Sequence, residues 1–267
     1  MTLVQEMIVN SKLKQQQSVD AQIPSSPPKF IIEGPAGTGK SHVAKLIAET
    51  LIETNICPST NCKIVQKANF EGTQGWRKYL KMLGEQVGQG VLVVDEIHDL
   101  IGSKNAQQAL RHFTDPPDED NPSKPIMILC GYSSKQDSAR NVDAFLEQEP
   151  GLKRRFADAH RISLPPSDPR HVAEVFFQNV QAGHQETEHI KYVLKFTVRE
   201  LEEALKKIPK RTRSVLNTAL WKTVFHQIKT EHARHNVAQD TPDNKLTKRM
   251  LKDAIENFNL NRHRAHL

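Results

Sequence analysis

The sequence has 267 residues and a mass of 30.2 kDa, room for one large domain or a main domain with a smaller companion. Hydrophobic residues make up 37% and charged residues 25%, a balance that excludes a wholly disordered chain. No apolar run approaches the ~20 residues that a helix needs to cross a bilayer. The start carries a polar Gln15-Gln16-Gln17 run and lacks a basic-then-apolar secretory pattern. Cys57, Cys62 and Cys130 are a sparse, odd set, as expected for reduced thiols. The expectation is an intracellular protein of the cytoplasm or nucleus, not secreted and without a membrane partner. The net charge of +6 is uneven: residues 1–169 carry 19 basic and 20 acidic side chains, residues 170–267 carry 18 and 11. A basic C-terminal third could face nucleic acid or an acidic partner; without interleaved aromatics, solvated Lys-rich helices are favoured.

Residues 1–28 read as a flexible segment, with Pro24, Pro27 and Pro28 opposing regular structure. Lys29-Phe30-Ile31-Ile32-Glu33 is a short apolar run predicted to be a buried strand. Val43, Ala44, Ile47, Leu51 and Ile52 then fall at helical spacing. Cys62 to Lys67 alternates as a strand does, and Trp76, Tyr79, Leu80, Leu83 and Val87 mark a second amphipathic helix with its aromatics in the core. Val91-Leu92-Val93-Val94 is continuous and β-branched, the pattern of a strand covered on both faces. Ala106 to Phe113 reads as a helix, Ile126 to Cys130 and His160 to Leu164 as strands.

Alternating strands and helices predict an α/β three-layer core with a parallel sheet over residues 29–165. Beyond Pro165-Pro166 only helical stripes are predicted, giving a small helical lid over 168–258 and a basic tail over 259–267. The stripes are Val172, Val175, Phe176, Val180; Leu201, Leu205, Ile208; Val215, Leu216, Ala219, Leu220, Val224, Ile228; and Met250, Leu251, Ala254, Ile255, Phe258.

The sharpest motif is Gly34-Pro35-Ala36-Gly37-Thr38-Gly39-Lys40-Ser41, which fits G-x-x-x-x-G-K-[ST] directly between a strand and a helix. Such a loop curls into a nest of N–H groups that takes phosphate oxygens at a helix N-terminus. Lys40 is then expected to reach the β- and γ-phosphates and Ser41 to hold Mg²⁺. The second motif is the strand ending in Asp95-Glu96, 55 positions beyond Lys40. Two carboxylates at the end of a buried strand are costly unless a cation waits there. Asp95 is expected to hold Mg²⁺ through water, and Glu96 to orient and deprotonate the attacking water. The pair points to ATP hydrolysis rather than ATP binding alone. His98 follows them and is read two ways, as a residue coupled to the site or, the favoured reading, as a helix-start residue. Lys153-Arg154-Arg155-Phe156 is read two ways with equal weight, as a solvated basic turn or as the site of an arginine finger given in trans.

With these motifs the chain resembles the AAA+ ATPases, and among them the CbxX/CfxQ family that includes the red-type Rubisco activases. The resemblance is carried by GPAGTGKS at 34–41, GQGVLVVDEIHDL at 88–100, Leu129-Cys130-Gly131-Tyr132 and EPGLKRRF at 149–156, and covers roughly Phe30 to His235. It implies a P-loop core with a helical lid, ATP and Mg²⁺ as ligands, and a ring oligomer, by family a hexamer, that remodels a protein client. It places Arg155 at the arginine-finger position, Tyr132 and Ser133 in the sensor-1 region, and Arg213 in Lys210-Arg211-Thr212-Arg213-Ser214-Val215 at sensor 2. The nearest match to its pore loop is Phe70-Glu71-Gly72.

Several positions depart from the family. Glu149 stands for its Asn and Arg154 for its Ser, so the two arginines could exchange roles. Glu71 puts a carboxylate into the pore loop, and only Val4, Met7 and Ile8 are available as a lead-in over adenine. Two other classes stay open: a nucleic-acid-associated loader-type ATPase, and an ATP-binding interaction module with little turnover. The pairs His232/His235 and His184/His189 lack the ligand sets of a zinc site and read as surface residues.

Overall fold

In a computed structural model the described residues are 27–70, 76–115, 124–182, 192–217, 220–237 and 243–264. Glu71, Gly72, the segment 1–26 with Val4, Met7 and Ile8, and His184 and His189 lie outside them. So do the side chains of Trp76 and Tyr79. The chain divides after Leu164 into two compact units, with loop residues Pro35–Gly39 grouping with the later one.

In chain order the first unit runs β1 (Lys29–Glu33), α1 (Lys40–Glu53), β2 (Cys62–Val65), α2 (Lys67–Phe70), α3 (Trp76–Val87) and β3 (Val91–Val94). A 3-10 turn (Ile97–Leu100) leads to α4 (Lys104–Thr114), β4 (Ile126–Gly131), α5 (Val142–Glu147), α6 (Pro150–Arg155) and β5 (His160–Ser163). The five strands described in this unit form one parallel sheet in the order β2-β3-β4-β1-β5. All four residues of β3 and all six of β4 are buried, as central parallel strands require. β2 and β5, at the edges, are largely exposed or half-buried.

Because successive strand residues point to opposite faces, each strand feeds two cores. Ile31, Leu92, Val94, Met127 and Leu129 pack with Leu83, Val87, Leu110, Phe113, Val142 and Phe145. Phe30, Ile32, Val91, Val93, Ile128 and Cys130 pack with Ala44, Ala48 and Leu51 of α1. The i, i+4, i+7 spacing of those α1 residues is what lets one helix face lie flat on the sheet. The three-layer α/β architecture expected from the sequence is the observed one.

The order of strands matters for the site. β1 and β3 each pair with β4, so their carboxyl ends lie two inter-strand spacings apart, about 10 Å, with the end of β4 between them. In open α/β sheets this carboxyl edge is where ligands bind.

The second unit contains α7 (Pro169–Gln181), β6 (Val193–Lys195), α8 (Val198–Lys206), α9 (Lys210–Leu216), α10 (Leu220–Val237), β7 (Lys245–Thr247) and α11 (Lys248–Arg264). Asp168 caps α7 and a Thr197–Glu200 capping box starts α8. Phe176 joins Phe196 and Phe225 in an aromatic core.

Four sequence expectations change here. β6 and β7 pair in parallel where only helices were expected, because a three-residue strand is too short to show a period. The stripe from Val215 to Ile228 is two helices: Asn217 closes α9 with φ 46°, a positive value that ends helical hydrogen bonding. His232 is buried, with Nε2 2.8 Å from the Asp243 carbonyl and its ring against Tyr192. α11 runs to Arg264, past the expected tail boundary at 258. Among the described residues no group of three His, Cys, Asp or Glu could hold a metal, and no helix is long and apolar enough to cross a membrane.

Candidate functional site

The turn after β1 is shaped by glycine at two points, Gly37 at φ 70° and Gly39 at φ 87°, left-handed values that a side chain resists. Thr38 Oγ1 donates to the Pro35 carbonyl at 2.9 Å, bracing the loop tip. At the loop's base the Gly34 N–H donates to the Gly131 carbonyl at 3.2 Å, stitching it to the end of β4. Lys40 opens α1, is 8% exposed, and its Nζ donates to the Gly34 carbonyl at 3.1 Å. Burial lowers the Lys40 pKa from its ordinary value, against the opposing pull of Asp95, Cys130 and Glu96. A buried ammonium facing its own loop's carbonyls is set up to gain from an incoming anion.

Ser41 Oγ donates to Asp95 Oδ2 at 2.6 Å, so the hydroxyl of the loop motif and the first carboxylate of the strand motif meet directly. Asp95 is 6% exposed; its N–H donates to the Val65 carbonyl at 2.9 Å and its Oδ1 accepts from the Glu96 N–H at 3.0 Å. Glu96 takes the left-handed conformation, φ 52° and ψ 43°, which costs a non-glycine residue roughly 1 kcal/mol, and its side chain is exposed. That turn separates the two acids: Asp95 stays at the sheet edge while Glu96 reaches solvent, where a water could be held. A pair of hard oxygens 2.6 Å apart is a donor set that fits Mg²⁺.

Cys130 lies beneath this pair. Burial, with Asp95 adding to it, pushes its thiol up to about 12, the direction that keeps it protonated. Cys57 is also buried, donating to the Ser59 and Gln89 carbonyls, while Cys62 is exposed.

The end of β4 supplies Gly131, Tyr132 and Ser133. The Tyr132 ring lies 5.2 Å from Lys40 Nζ and stacks on His98. Ser133 is buried and bonded to Gln136 through both its N–H and its hydroxyl. Gly131 belongs to the Leu129–Tyr132 motif, whose sequence points to no role for it. A Cβ there would come within 2.8 Å of Val142 Cγ2 and 2.9 Å of Ile97 Cγ2. Replacing Gly131 with alanine is therefore expected to destabilise the fold by about 1–3 kcal/mol, measured by urea denaturation, and to weaken nucleotide binding through the Gly34 hydrogen bond.

Arg155 ends α6 rather than lying in a turn. Its guanidinium is paired with Asp115, its side chain is 17% exposed, and its Nη1 is buried with no hydrogen-bond partner among the described residues. Arg154, one position earlier, is exposed. Phe70 is buried at the end of α2, a core residue rather than an exposed grip. In the second unit, Arg213 stands on α9, its Nε donating to the Ile208 carbonyl at 2.9 Å. Within that unit Asn217 was not anticipated: its amide donates to the Ala36 carbonyl at 2.7 Å and its Oδ1 accepts from the Ser167 N–H at 3.1 Å. An isolated Asn in a helical stripe carries no signal of such a role.

Comparison with known proteins agrees with this geometry. Residues 30–147 match the family model described as ATPase family associated with various cellular activities (AAA). The ESX-1 secretion system protein EccA1 of Mycobacterium tuberculosis is 29% identical over 158 residues, 55% of this chain and 25% of that protein. Stage V sporulation protein K of Bacillus subtilis is 28% identical over 137 residues, 48% of this chain and 39% of its own. The match thus spans between a quarter and two fifths of these relatives' lengths. The structure of the Aeropyrum pernix ORC2 protein in its ADP form superposes with a TM-score of 0.63 at 13% identity, covering 94% of this chain and 67% of that one. At that identity the likeness shows the fold alone, and the fold is that of the AAA+ P-loop ATPases. Residues 30–147 carry an AAA ATPase domain.

Proposed function

We propose that the protein hydrolyses ATP as a nucleotide-dependent ring oligomer of the CbxX/CfxQ type and uses the cycle to remodel a protein client. The Ser41–Asp95 hydrogen bond at 2.6 Å carries this reading, because it joins the two motifs that a P-loop ATPase needs at one point. ATP would lay its β- and γ-phosphates on the N–H groups of residues 36–41, at the positive end of α1. Lys40 would leave the Gly34 carbonyl for the phosphate oxygens, trading a neutral acceptor for charged ones. Ser41 and Asp95 are the residues that would hold Mg²⁺, which supplies charge neutralisation between the phosphates. Glu96 would hold the attacking water and accept its proton.

The finer subfamily rests on the Leu129–Tyr132 and Glu149–Phe156 motifs. Arg155 is assigned as the finger given to a neighbouring subunit, Arg213 as sensor 2, and Tyr132 with Ser133 as the sensor-1 region. Charge alone leaves a nucleic-acid-linked loader as the second reading, and salt-sensitive DNA or RNA binding would favour it.

The test is solution mass with and without ATP, run beside phosphate release across dilution. The reading expects the mass to rise with ATP and turnover per subunit to rise with protein concentration. Turnover that stays constant down to monomers would remove the ring and the finger in trans; binding of ATP with no phosphate release at any concentration would leave an interaction module.

A further inference from the structure

We propose that His98 is a positioning residue for hydrolysis, its ring holding Tyr132 against the Lys40 ammonium; this rests on the reading of Lys40 as the residue that meets the nucleotide phosphates. His98 sits in the 3-10 turn three residues beyond Asp95 and is 5% exposed. Its ring stacks on Tyr132 with centroids 3.9 Å apart and planes inclined by 27°. Neither nitrogen explains the burial. Nδ1 is buried with no hydrogen-bond partner among the described residues, and Nε2 lies 3.8 Å from Asp99 Oδ1, beyond hydrogen-bond reach. Asp99 is itself paired with Arg140. A hydrocarbon would fill the same space without leaving a polar atom unbonded, so the property in use here is the flat face.

That face has a consequence at the site. Tyr132 follows Gly131 directly, at the end of the strand between β1 and β3, and its ring is 5.2 Å from Lys40 Nζ. With one face of Tyr132 covered by His98, the ring keeps one orientation toward the ammonium, a cation–π contact. Burial favours the neutral imidazole, which stacks there without adding a positive charge close to Lys40. Gly131 leaves the room beside it: a Cβ at that position would crowd Val142 Cγ2 at 2.8 Å and Ile97 Cγ2 at 2.9 Å, with His98 Nδ1 in ordinary contact at 3.6 Å. The carboxyl ends of β1, β3 and β4 are thereby linked through Lys40, His98 and Tyr132.

The experiment compares His98→Phe, His98→Leu, Tyr132→Leu and the double variant His98→Leu/Tyr132→Leu in the full chain. Each is assayed for thermal unfolding, affinity for a fluorescent ATP analogue, and phosphate release. His98→Phe keeps the plane and is expected to retain kcat within about twofold. His98→Leu loses the plane and should lower kcat about tenfold, with affinity changed less, since Lys40 contributes most as charge builds on the γ-phosphate. Tyr132→Leu should reproduce that loss and the double variant should add nothing to it. If His98→Leu does not fold, Tyr132→Leu in the His98→Phe background decides: unchanged turnover there overturns the proposal. Equal losses in His98→Phe and His98→Leu, or additive losses in the double variant, would also overturn it. A wild-type chain that neither binds nor hydrolyses ATP would instead overturn the function proposed above.

Discussion

Replacing Glu96 with glutamine is expected to leave ATP bound while phosphate release falls about 10²–10³-fold. Glutamine keeps the length and a hydrogen-bond acceptor but cannot take a proton from water. Binding should survive because the residues proposed to meet the phosphates are elsewhere: the loop amides, Lys40 and Ser41. The backbone gives a second reason. Glu96 holds φ 52° and its N–H is bonded to Asp95 Oδ1, neither of which depends on the charge of the side chain. Single-turnover phosphate release, with retained nucleotide measured by filtration, checks both halves. Equal release by the two proteins would show that Glu96 is not the proton acceptor.

Arg155→Ala is the second substitution with a large expected effect, a loss of about 10³-fold in turnover with ATP affinity in the isolated subunit unchanged. In its own chain Arg155 is paired with Asp115, and its Nη1 has no hydrogen-bond partner among the described residues. The ion pair holds the guanidinium in place, and the absence of a side chain at Gly151 leaves room for it: a Cβ there would sit 2.7 Å from Nη1. Arg154 is exposed and has no such seat. Mixing Arg155→Ala with Glu96→Gln subunits, each inactive alone, tests the direction of action. Recovery of part of the activity is expected, because some interfaces then combine an intact Glu96 with an intact Arg155 from the next subunit. Mixed rings without recovery would place the arginine's action within its own subunit.

The phosphate loop, the paired acids and the parallel sheet were legible from residues alone, and for a local reason. Gly34 to Ser41 must curl in one way to present amides. A run such as Val91–Val94 has no polar face to show water, so it can only be a central strand. The helices of the second unit were legible where their stripes were long. Where the chain departed from expectation, the deciding contact came from far away in sequence or the element was too short to have a period: β6 and β7 have three residues each, and α6 has six.

What the amino-acid order determined by itself was therefore a chemistry: a P-loop, a strand with two acids, and the layers that carry them. What only the tertiary structure decided was which side chains meet. Asp95 with Ser41, His98 with Tyr132, Arg155 with Asp115 and Asn217 with Ala36 are separated by 54, 34, 40 and 181 positions. No local propensity encodes such pairs. They exist only once distant segments have been brought together by the closing of the fold, as the strand order does for Asp95 and Ser41.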